Sequence, residues 1–101
     1  MLNPREFANK LAELFEDSFD NEPKGVYRIF REDLSRITGR PVLHQTIIED
    51  VADWLVGLGL ILIDRDSFFV IVGHDHFDSI RTVPGQVVQA HAHPIDFGSS
   101  K

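Results

Sequence analysis

The stretch TIIEDVADWLVGLGLILIDRDSFFVIV, Thr46–Val72, decides how the chain folds. In its first half Ile47, Val51, Trp54, Leu55 and Leu58 recur at helical spacing. Thr46 stands as the N-terminal cap, and Gly57 and Gly59 as the stop. In its second half the period changes. Leu60–Ile63 and Phe68–Val72 are apolar runs of strand length joined by the polar tip Asp64-Arg65-Asp66-Ser67, the pattern of a β-hairpin. A sheet covered on one face alternates apolar and polar residues. These runs do not alternate, so both faces of the hairpin are expected to be covered, one by the helices and the other by the C-terminal segment or a second protomer.

Upstream, Asn3-Pro4-Arg5-Glu6 has the spacing of a capping box, with Leu2 and Phe7 placed as a hydrophobic staple. Phe7, Leu11, Leu14 and Phe15 continue a helical stripe, which predicts a first helix over 4–19. Residues 20–25, DNEPKG, read as a loop. Val26–Phe30 fits either a short strand or the first turn of a longer helix. Glu32–Thr38 is helical in both cases, with Leu34 and Ile37 inward and Gly39 as its end. Beyond Gly73, His76–Val83 is a candidate short helix. Pro84-Gly85 is a turn, Gln86–His93 an extended segment and Gly98–Lys101 a frayed tail.

The chain has 101 residues, enough for one core, and 43% of them are hydrophobic. It has no Cys, which excludes disulfides and thiolate metal sites. Met1–Lys10 lacks the pattern of a signal peptide, and the longest apolar run, Trp54–Ile63, is about half what a bilayer needs. A cytoplasmic location without a membrane partner is the expectation. The net charge of −6 disfavours indiscriminate attraction to nucleic acid. The positive charge is concentrated, however: residues 24–40 hold Lys24, Arg28, Arg31, Arg36 and Arg40 against only Glu32 and Asp33.

Leu34, Ile37 and Gly39, then Thr46-Ile47, Val51, Leu55 and Gly59-Leu60-Ile61, together resemble bacterial winged helix-turn-helix regulators over residues 4–72. The resemblance implies an α+β fold of three helices followed by a β-hairpin wing. It divides the chain into a winged-helix domain, 1–73, and a C-terminal extension, 74–101, that packs on the sheet or on a partner. The turn Arg40–Gln45 departs from the commonest form by being about two residues longer.

Two binding readings follow, neither of them enzymatic. As a DNA-binding regulator, the chain would use Arg28, Arg31, Arg36 and Arg40 with His44, Gln45 and Thr46 at the start of the third helix, where a helix N-terminus favours phosphate. If 28–37 is helical, Arg28, Arg31, Ser35 and Arg36 share one face; Glu32 and Asp33 can also pair with these arginines. As a protein-binding module, it would use Glu49, Asp53 and Val56, which face outward on the third helix. A homodimer fits the apolar wing. No nucleophile constellation or cofactor motif is present. His74/His76 and His91/His93 have the His-x-His spacing of strand-borne metal ligands but read as surface histidines, not a metal site. Trp54 and the Phe residues read as core.

Overall fold

Asn3 starts the first helix as its sequence demands: Asn3 Oδ1 accepts from the Glu6 N–H at 2.8 Å, and Glu6 Oε1 accepts from the Asn3 N–H at 3.0 Å. Helix α1 runs Pro4–Phe15 and buries Phe7, Ala8 and Leu11. It ends before residue 19, because the apolar stripe stops at Phe15 and Glu16 closes the last turn with hydrogen bonds to Ala12 and Glu13. The computed structural model describes residues 1–17, 19 and 24–95. Most of the expected loop at 20–25, the frayed tail at 98–101 and residues 96–97 lie outside them.

Among the described residues the chain forms four helices and one three-stranded antiparallel sheet. Strand β1, Tyr27–Phe30, resolves the ambiguity at 26–30: its backbone pairs with the hairpin instead of extending a helix. Helix α2 follows at once, Arg31–Thr38, and Gly39 ends it at φ 72°, where a Cβ would also approach the Met1 Cα to 3.3 Å. Helix α3 spans Gln45–Gly57. Its N-cap is His44, which has extended backbone and no side-chain cap bond, and not Thr46. Strands β2, Leu60–Asp64, and β3, Phe68–Gly73, form the expected hairpin, and β3 is central in the order β1-β3-β2. None of the helices among the described residues is long and apolar enough to cross a membrane.

The core lies between the helices and one sheet face. Phe69 and Ile71 of β3, Tyr27 of β1 and Leu60 of β2 meet Phe7, Leu11, Leu34, Val51 and Leu55 there. The other sheet face carries Arg28↔Val70↔Ile63, Phe30↔Phe68 and Ile61↔Val72 as cross-strand neighbours. Val72 is 2% exposed and Phe30 is 47% exposed; Ile61, Ile63, Phe68 and Val70 are half-buried.

The C-terminal region departs from expectation. Residues 74–79 form consecutive turns instead of a helix. Helix α4, Gly85–His91, replaces the extended segment at 86–93, because extended Pro84 serves as its N-cap and its carbonyl accepts from Val87 and Val88. The two adjacent valines look strand-like, but among the described residues they take no part in the sheet, whose strands pair in the order β1-β3-β2. No residue from 74 to 95 is buried, so this part of the extension does not pack into the sheet.

Candidate interaction surface

The phase of α3 sets what the module presents. Its buried residues are Ile48, Val51 and Leu55, with Ile47 only partly buried at the core margin. This stripe leaves Gln45, Thr46, Glu49, Asp50, Asp53 and Val56 exposed. Trp54 falls on its flank and is 48% exposed, so the core assignment of Trp54 is wrong. Leu58 lies at the C-cap, past the last helical turn, and is exposed as well. Phe19, Phe30 and Phe77 also stay outside the core, and Ile37 of α2 is exposed.

The exposed α3 face therefore combines Glu49, Asp50 and Asp53 with an accessible indole, and α3 itself contains no Lys or Arg. Arg5 of α1 stands 5.7 Å from the Trp54 ring centroid. Sequence reading omits Asp50 and Trp54 from this face. The signal for both is the choice of Ile48 over Ile47 as the centre of the buried stripe, since that choice turns them outward.

The basic segment does not form one strip. Arg28 lies on β1, not on a helix face shared with Arg31, Ser35 and Arg36; pairing of residues 27–30 with β3 excludes the helix that face required. The Arg28 guanidinium sits 5.2 Å from the centroids of both Phe30 and Phe68 on the outer sheet face. Arg31 turns toward the wing, where Nη2 meets Asp64 Oδ1 at 2.9 Å, Nε donates to the Asp66 carbonyl and Nη1 donates to the Leu43 carbonyl at 3.4 Å. Arg36 pairs with Asp33 at 3.2 Å, and Arg40 Nε donates to the Leu2 carbonyl at 3.0 Å, tying down the N-terminus. Lys24 pairs with Glu16 at 3.0 Å. The exposed pairs contribute little stability, but they place a carboxylate beside Lys24 and Arg36. His44, Gln45 and Thr46 are exposed at the α3 N-terminus, and Gln45 Nε2 donates to Glu49 Oε2 at 3.3 Å.

Among the described residues, no group of three or more His, Asp and Glu side chains is placed to hold a metal ion. His74 extends the hairpin ladder: its N–H donates to the Gly59 carbonyl at 2.9 Å, and its Nδ1 lies 3.1 Å from the same oxygen. The buried polar contact of note is structural. The Tyr27 hydroxyl donates to the Leu11 carbonyl at 2.7 Å beneath the sheet, and burial pushes its pKa well above the usual tyrosine value.

No protein family, no characterised relative and no solved structure matches the chain.

Proposed function

We propose that the chain is a non-enzymatic winged-helix module that binds another protein through the exposed face of α3. The element order α1-β1-α2-α3-β2-β3, with β3 between β1 and β2, supports the winged-helix reading. The observation that carries the functional reading is the placement of Glu49, Asp50, Asp53 and half-exposed Trp54 on the helix that would enter a DNA groove. Phosphates repel such a face. A protein partner with basic groups around an apolar pocket fits it, since exposed tryptophans anchor interfaces and rim charges set encounter rates.

The DNA reading retains one supporting observation. The first turn of α3 has no acidic residue, and His44, Gln45 and Thr46 are exposed there. In that reading Arg36 and Arg40 leave their present partners for phosphates, and Arg28 and Arg31 stay engaged with the sheet and wing.

Affinity capture from the native host separates the readings when proteins and nucleic acids are both identified. The proposal expects a protein that is retained by wild type and by Arg36→Ala, and lost with Glu49→Gln/Asp53→Asn/Trp54→Ala. Capture of nucleic acid alone, strengthened by the acid-neutralised variant, would refute it.

A further inference from the structure

Helix α3 carries a shallow groove along its exposed side. Thr46, Asp50, Asp53 and Gly57 recur at i, i+4, i+7 and i+11, so they fall in one row on the side opposite the buried Ile48, Val51 and Leu55. All four are exposed, none has a long side chain, and Gly57 has none at all. The longer Gln45, Glu49 and Val56 flank the row on one side, and half-exposed Trp54 flanks it on the other, with Leu58 just beyond the helix end. The fold does not require a glycine at 57. Its φ is not positive, and a Cβ built there meets no atom within 4 Å. The left-handed turn out of the helix is supplied by Gly59, at φ 79°. A helical glycine is less favourable than alanine, so Gly57 weakens α3 without any conformational need. Beside it, Arg5 of α1 already places a guanidinium 5.7 Å from the Trp54 ring centroid.

We infer that the partner docks a basic α-helix along this row, with its backbone nearest α3 at Gly57 and its Lys or Arg side chains over Asp50 and Asp53. The inference rests on the reading of α3 as a protein-binding face and names the partner's element and chemistry. Packed helices lay a ridge of side chains into a groove, and their axes approach more closely where the contacting residues are small. Gly57 is the point of closest approach on this row. Glu49, Asp50 and Asp53, with no Lys or Arg in α3, call for positive charge opposite them. Trp54 and Val56 flank Gly57 and supply the apolar contact. A partner cation can take the place of Arg5 on the indole, where a guanidinium is already accommodated. An extended strand gains nothing here, because a helix has no free backbone edge for it to pair with.

The test selects displayed peptides of about 20 residues, ~30 Å when helical, on the full chain. One library holds amphipathic helices randomised on one face, and the other holds the same lengths interrupted by proline, which cannot be helical. The expected winners are helices bearing Lys or Arg three or four residues apart. They should bind Gly57→Leu about tenfold or more weakly than wild type, as overpacking a close contact does. Gly57→Leu itself should melt at or above the wild-type temperature, since Leu favours a helix and its Cβ meets open space. Weaker binding by a variant at least as stable separates a contact at Gly57 from damage to the fold. Helices that bind Gly57→Leu as tightly as wild type, yet are lost with Trp54→Ala, would overturn the inference and leave the protein-binding face of α3 intact. Acidic or proline-interrupted winners lost with Trp54→Ala would do the same. Winners indifferent to both substitutions would overturn the inference and that reading together, and an empty selection would overturn the inference.

Discussion

Arg31 Nη2 lies 2.9 Å from Asp64 Oδ1, joining the first turn of α2 to the end of β2. The same guanidinium stands 4.5 Å from the Phe69 ring centroid, and the Arg31 N–H donates to the Ser67 carbonyl at 2.9 Å. Asp64 Oδ1 also accepts from the N–H of Asp66, whose φ of 70° completes the turn. Arg31 thus holds the wing tip against α2. Arg31→Ala is expected to cost about 1–3 kcal/mol, because it removes several charge-assisted contacts at a partly buried position. Arg31→Lys should recover only part of this, since an ammonium lacks the planar fork. Urea denaturation of both variants checks it. A loss within about 0.5 kcal/mol, typical of plain surface substitutions, contradicts the clamp.

Tyr27 predicts a pH dependence. Burial holds its hydroxyl neutral in the folded state and raises its pKa above the unfolded value of 10.0. The associated stability is therefore complete below the unfolded pKa and lost as pH rises past it. Tyr27 is the chain's one tyrosine, so phenolate absorbance reports it alone. The phenolate should appear only with unfolding, well above pH 10. Tyr27→Phe should cost about 0.5–1.5 kcal/mol at neutral pH for the lost hydrogen bond to Leu11 and should flatten the alkaline decline. Phenolate formation at the ordinary tyrosine pH in folded protein contradicts the burial.

Trp54 gives a third test. A buried tryptophan costs about 3–5 kcal/mol on truncation to Ala. At 48% exposure on the flank of the α3 stripe, Trp54→Ala should cost about 1 kcal/mol. Its fluorescence in the free chain should be readily quenched by acrylamide. A loss above about 3 kcal/mol, in the core range, contradicts the assigned phase of α3.

Trp54 also shows where sequence reading stops. Apolar residues at 47, 48, 51, 54, 55 and 58 fit more than one helical phase, and residue type alone ranks Trp as core. Contact with α1 chooses the phase, and that contact is tertiary. The hairpin, the capping box at Asn3 and the stop at Gly39 were legible because each rests on local chemistry: apolar runs around a polar tip, a reciprocal side-chain cap and a left-handed backbone. Strand β1 is legible only as one of two alternatives at 26–30, because the choice depends on pairing with β3 some forty residues later. Helix α4 was missed for the opposite reason: Val87-Val88 promises a strand, but among the described residues they take no part in the sheet. At the candidate site, Glu49, Asp53 and Val56 were placed correctly as outward-facing. The presumed shared face of Arg28 and Arg31 failed with the helix it assumed.

Binding to random duplex DNA at two salt concentrations separates a protein-binding α3 face from a DNA-reading one, with wild type compared with Glu49→Gln/Asp50→Asn/Asp53→Asn. Wild type is expected to show no detectable binding even at low salt, and the acid-neutralised variant none or only weak, salt-sensitive binding. Wild-type binding whose log–log salt slope falls by about one unit on Arg36→Ala, the signature of one lost phosphate contact, would contradict this expectation and make α3 a DNA-reading helix after all.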